Sequence, residues 1–216
     1  MMIAQYGNHD ASTVLVQMVD DHDLEGIEKE ATSIQKLTGT DFCLTAVKVQ
    51  NWNNDLSPWP APAVFGSEGF GGGAAGTLAE ILQYFADRDK TYIIGGDSLA
   101  GLFALWAVYQ TDIFSAVAAA SPSIWFPDFT EYMKDRRPSA EAIYLSLGNK
   151  EEKTRNPVMA TVGDKIREAH GLLEQQKIVT TLEWNQGNHF KDPDIRTANA
   201  FAWTMKQVCR VLPTRL

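Results

Sequence analysis

Two cysteines in 216 residues, Cys43 and Cys209, are too few for a disulfide framework, and their spacing fits no zinc site. Both read as buried thiols. Long apolar runs are missing as well: no stretch approaches the roughly 20 residues needed to span a bilayer. The opening MMIAQYGNHD has no basic segment followed by an apolar one, so the chain reads as cytoplasmic, with no membrane partner. Positive charge is scarce too. Lys and Arg number 19 against 27 Asp and Glu, giving a formal net charge of −8 without any basic cluster, which argues against nucleic acid as a partner. Internal repeats and low-complexity tracts are absent, and the sequence leaves the oligomeric state open.

What is present is a 44% hydrophobic composition with aromatics spread along the chain, enough for one substantial core and a single domain over residues 1–216. TVLVQMV, from Thr13 to Val19, predicts a strand, and an acidic turn follows. Asp23 is expected to cap a helix whose apolar stripe is Ile27, Ala31, Ile34 and Leu37 and which Gly39 stops. FCLTAVKV predicts a second strand over 42–49. The segment from Asn51 to Gly76, rich in Pro, Trp and Gly, predicts an ordered irregular loop. A helix face of Leu78, Ile81, Leu82 and Phe85 comes next, then the strand TYIIGG and the nearly all-apolar helix LAGLFALWAVY. AVAAAS and AIYLSLG are further strands, and Val158, Val162, Ile166, Ala169 and Leu173 form a helical stripe. VTTLEW is the last strand, and a final helix buries Ala198, Phe201, Met205, Val208 and Leu212. Strands alternating with helices imply a mostly parallel α/β sheet covered on both faces, with chemistry beyond the carboxyl ends of the strands.

At one such end, TYII runs through Gly95-Gly96-Asp97-Ser98-Leu99-Ala100-Gly101 into an apolar helix. This is a nucleophile-elbow pattern. A serine held in so sharp a turn needs small residues two before and two after it, here Gly96 and Ala100; glycine is usual at the second site. Ser98 would be the nucleophile, and the Leu99 N–H at the helix start would face a developing oxyanion. The alternative is a turn serine that merely caps a core helix.

The chain order of such sites is serine, acid, histidine. His189, reached from VTTLEW through Asn185-Gln186-Gly187-Asn188, has the address of the general base, whereas His9, His22 and His170 lie near the terminus, ahead of the nucleophile and on a helix. The acid should follow AIYLSLG, where Glu151 and Glu152 both qualify and a Ser-His dyad without an acid stays open. A second oxyanion N–H is expected after the first strand, at Asp20, Asp21 or His22, with Asp21 preferred. These nearly consecutive acids show no matching ligand set for a metal.

Gly71-Gly72-Gly73-Ala74-Ala75-Gly76 satisfies the dinucleotide pattern G-x-G-x-x-G in letters only. Pro58, Pro60 and Pro62 precede it where a strand is needed, and no phosphate-loop lysine follows, so no cofactor is expected. Trp52, Trp59, Phe65 and Phe70 of this loop, with Trp125, would either line a substrate pocket, Trp125, Trp59 and Phe70 foremost, or close the core beneath the loop.

The stretch GGDSLAGLFALWAVYQTDIFSAVAAASPSIW and the later Gly187-Asn188-His189-Phe190 resemble the esterase D-like, enterochelin esterase-like branch of the α/β hydrolases over the C-terminal two-thirds of the chain. The resemblance implies an α/β-hydrolase fold in a compact version without a cap domain or the N-terminal strands of larger members. It also implies ester hydrolysis through an acyl-enzyme, with Ser98 attacking a small soluble ester, His189 taking its proton, and Glu151, three residues after Gly148, preferred to Glu152 as the acid. Asp97 stands where many relatives carry His, and its charge would disfavour anionic substrates. Thioester hydrolysis and acyl transfer would use the same machinery. A fold retained for binding alone is the alternative from another class.

Overall fold

The structure, a computed structural model, describes residues 2–211. Seven strands form one sheet in the order β1-β3-β2-β6-β7-β8-β9: Met2–Gly7, Cys43–Lys48, Thr13–Val19, Thr91–Asp97, Phe114–Ala120, Ala142–Gly148 and Val179–Asn185. All neighbours pair in parallel except β1, which runs antiparallel along β3. β1 is absent from the sequence reading. Its MIAQYG lies at an edge with no residue fully buried, so it lacks the continuous apolar run that marks the inner strands.

Helices α1 (Asp21–Thr38) and α7 (Pro193–Val211) cover one face, where Ile27, Ile34, Phe201 and Met205 pack with Leu15, Leu44 and Tyr144 of the sheet. On the other face lie α3 (Ala74–Ile81), α4 (Ser98–Ala107), α5 (Phe129–Lys134) and α6 (Val162–Gln175). The side chains of α4 from Leu99 to Ala107 are all buried, as its nearly unbroken apolar sequence requires. Leu212, expected on the last helical stripe, lies outside the described residues.

Several local expectations need correction. Asp20, not Asp23, caps α1: the Asp20 carboxylate accepts from the Asp23 N–H at 2.8 Å, and Asp23 reaches back to the Asp20 N–H at 3.1 Å, a reciprocal capping box. Cys43 is buried, but Cys209 is exposed. Val158 is exposed ahead of a short 3-10 turn, so the stripe of α6 begins at Val162. The long loop contains a four-residue helix α2 (Trp52–Asp55) and a minimal antiparallel pair, β4 (Pro60–Ala61) and β5 (Phe70–Gly71). Its glycine run folds around α2: a Cβ on Gly71 would sit 1.9 Å from Asn54 Oδ1. That close approach accounts for glycine there without any nucleotide.

Candidate active site

β6 ends at Asp97 and α4 begins at Ser98, with no residue between them. The turn forces Ser98 to φ +53°, a left-handed conformation costing roughly 1–3 kcal/mol for a non-glycine residue. A backbone bond from the Ser123 N–H to the Ser98 carbonyl, 2.9 Å, helps hold it. Gly96, at φ +148°, could not carry a side chain, because its Cβ would fall 2.7 Å from that of Ala100. The Ala100 methyl therefore occupies room that Gly96 leaves free, which is how the elbow tolerates alanine where glycine is usual. No side chain caps α4, so the positive end of its dipole and its first N–H groups face the serine unscreened.

The loops after β8 and β9 bring the other groups to Ser98. His189 Nε2 lies 3.1 Å from Ser98 Oγ, and His189 Nδ1 lies 2.8 Å from Glu151 Oε2. Of the two candidate acids only Glu151 reaches the imidazole; Glu152 turns away to Arg167 at 3.2 Å. The two loops are stitched together by backbone bonds from Asn149 N–H to Asn185 O, 2.8 Å, and from Lys150 N–H to Gly187 O, 3.0 Å. Glu151 and His189 thus share one rigid support.

Arg196 is the residue that sequence reasoning missed. It sits in the first turns of α7, is 3% exposed, and donates from Nη1 to Glu151 Oε1 at 2.9 Å and to Ser121 Oγ at 3.0 Å. Its Nη2 donates to the carbonyls of Asn188, 2.9 Å, and Gln186, 3.3 Å, in the histidine loop. Glu151 Oε1 also accepts from the Gly148 N–H and the Ser121 hydroxyl, at 2.7 and 2.8 Å. Oε1 of this buried carboxylate thus takes three donors, and Oε2 takes the imidazole. The only trace in the sequence is an arginine at the head of an otherwise apolar helical stripe.

These contacts set the charge states. Burial works to raise the Glu151 carboxyl, but the His189 hydrogen bond and charge, with the Gly148 and Ser121 donors, outweigh it and hold it below the ordinary value. Burial works to lower His189, yet the Glu151 hydrogen bond and charge and the Asp97 charge raise it above 6.5, with Arg196 opposing them. Asp97 is half-buried as a residue, but burial of its carboxyl, reinforced by the Asp23 charge, raises it to about 6.

A cavity of about 580 Å³ opens beside Ser98. Its walls include Phe65, Trp125, Met159, Val162 and Phe190, and Lys150 and Lys153 stand at its edge. Trp125 borders this cavity. Trp59 and Phe70 do not line it: Trp59 donates from Nε1 to Pro127 O at 3.1 Å and packs on Phe126, Phe129 and Tyr132, while Phe70 is buried behind Trp125. Both close the core beneath the loop. Asp97 borders a different cleft, shared with Gln17, Asp23, Glu30 and Asp194, and does not line the Ser98 cavity, although its charge reaches His189. Asp21 opens α1, where its exposed side chain pairs with Lys48 and lies outside the cavity lining. No group of three metal-binding side chains occurs among the described residues.

No protein-family model matches the chain, and no curated protein does. Solved structures do. An IroE-like serine hydrolase from Shewanella oneidensis superposes with a TM-score of 0.72 at 15% identity, covering 93% of this chain and 74% of that one. The siderophore hydrolase EstA from Aspergillus nidulans gives 0.66 at 19% identity, covering 93% and 85%. The enterobactin esterase FES from Shigella flexneri, in the presence of enterobactin, gives 0.66 at 14% identity, covering 95% of this chain and 55% of that one. The chain therefore has the α/β-hydrolase fold, in the form these esterases share and its own sequence resembles.

Proposed function

We propose that the protein is a serine ester hydrolase in which Ser98, His189 and Glu151 act as a triad. The observation that carries this reading is the unbroken line from Ser98 Oγ through the imidazole to Glu151, at 3.1 and 2.8 Å. His189 Nε2 accepts the Ser98 proton as Oγ attacks the ester carbonyl, while Nδ1–H donates to Glu151, which stabilises the imidazolium. The Leu99 N–H at the start of α4 receives the oxyanion. His189 then protonates the leaving alcohol, and water returns the acyl-enzyme to the free serine by the reverse sequence.

Arg196 acts in this scheme as a positioning residue: it pairs with Glu151 at 2.9 Å and ties the acid to the histidine loop. The cavity beside Ser98 suits a small ester with an apolar portion. Two of the structural neighbours are named as a siderophore hydrolase and an enterobactin esterase, so siderophore-type esters join simple aryl esters as substrates to test.

The test is hydrolysis of a p-nitrophenyl ester series, with fluorophosphonate labelling of the parent. Turnover and labelling at Ser98 are expected, both lost in Ser98→Ala, with kcat falling by more than about a thousandfold. Glu151→Gln should also lower kcat severely, on the order of a thousandfold, and Glu152→Gln far less. A parent that is neither labelled nor active, while still binding such esters, would establish the binding-protein alternative instead.

A further inference from the structure

Lys150 and Lys153 flank the acid in sequence but share neither its burial nor its partners. Glu151–Lys153 is one 3-10 turn, closed by the Lys153 N–H donating to Lys150 O at 3.1 Å. In a 3-10 turn, side chains three residues apart eclipse, so the two lysines project from the same side, and both line the Ser98 cavity. Both are exposed. The acids beside them are already engaged, Glu151 with His189 and Arg196, and Glu152 with Arg167. Neither lysine has an ion-pair partner among the described residues. The rest of the lining is mostly apolar or hydroxyl-bearing, and two of its rings, Phe65 and Phe190, are 53% and 84% exposed at the mouth.

Charge around the nucleophile is therefore segregated. The cleft on the Asp97 side collects Asp23, Glu25, Glu30 and Asp194, and its one lysine, Lys29, is bound to Asp194 at 2.7 Å. The reacting side carries the two unneutralised ammonium groups. In a chain of net charge −8 the long-range field repels anions, so any preference for one at this site has to arise locally.

We propose that the Ser98 cavity takes an ester with an apolar body and an anionic group, such as a carboxylate, placed several bonds from the scissile carbonyl, where Lys150 and Lys153 recognise it. This rests on the hydrolase reading above and names its substrate class. It also reverses the bias that Asp97 suggests in the sequence, because that carboxylate borders the other cleft.

The anion could belong to the acyl part or to the alcohol, and matched substrates separate the two. One arm compares kcat/KM for mono-p-nitrophenyl adipate with p-nitrophenyl hexanoate; the other compares 4-acetoxybenzoate with its methyl ester. The expected result is preference for the anionic member in at least one arm. In Lys150→Glu/Lys153→Glu that ratio falls by on the order of tenfold, a partly exposed ion contact being worth up to about fivefold each, and Lys150→Arg/Lys153→Arg retains it. Neutral esters preferred in both arms, or a ratio that charge reversal leaves unchanged, would overturn this inference while the hydrolase reading stands. A parent that turns over none of the four esters overturns both.

Discussion

Among single residues, Arg196 and Asp97 pull on His189 in opposite directions. The Arg196 charge disfavours the imidazolium, and the Asp97 charge favours it. In the proposed triad the imidazole must be neutral to act, so the acidic limb of the kcat/KM profile should follow the His189 titration, with its midpoint above 6.5. Arg196→Met removes the opposing charge and should move that limb to higher pH, with reduced kcat from the loosened acid. Asp97→Asn should move it to lower pH. Rate measurements between pH 5 and 9 check both, and shifts of the same sign in the two variants would refute this electrostatic account. The addresses of Ser98 and His189 were legible in the sequence because each follows a strand and their order goes with the fold, whereas Glu151 and Glu152 were told apart only by which one reaches the imidazole. Arg196 was not, since its partners come from three other segments and nothing local announces a buried arginine.

For elements, the long loop after β3 shows where reading stops. Its aromatic residues signalled order, but the sequence left open whether they face substrate or core. The structure divides them: Phe65 borders the cavity beside Trp125, which follows β7, and Trp59 braces the loop against α5. Trp59→Ala should therefore destabilise the fold by roughly 2–3 kcal/mol with little change in acyl-chain preference. Trp125→Ala should change that preference. Urea denaturation and a chain-length series distinguish the two, and a selectivity change in Trp59→Ala would return it to the pocket. The strands were readable for the opposite reason: β2, β6, β7 and β8 are buried on both faces, so their sequences are nearly uninterrupted apolar runs. β1, at the edge, has no such signature.

At the scale of the whole molecule, ionisation divides into two opposed sets. Glu151 is held below its ordinary value, so its contribution is present above 4.5 and lost as pH falls through the folded value. His189 is raised, so its contribution is complete below 6.5 and lost as pH rises through the folded value. Glu30 is raised well above 4.5 by burial, partly offset by its Gln17 contact, and Asp97 to about 6; each favours the folded state at low pH and loses that advantage as pH rises. Three of the four therefore weaken the fold toward alkaline pH. Glu30→Gln keeps the shape, removes one of them, and should raise the urea midpoint more at pH 8 than at pH 5. A larger gain at pH 5 would mean that Glu30 is not buried as a proton-holding group.

The acid's clamp is carried by α7, and the base lies just ahead of that helix. A growing polypeptide that has emerged only through β8 holds the serine and, soon after, the acid, yet neither the imidazole nor the guanidinium that orients them. In the proposed triad Ser98 therefore stays unarmed until α7 docks, and the first appearance of ester cleavage would time that docking.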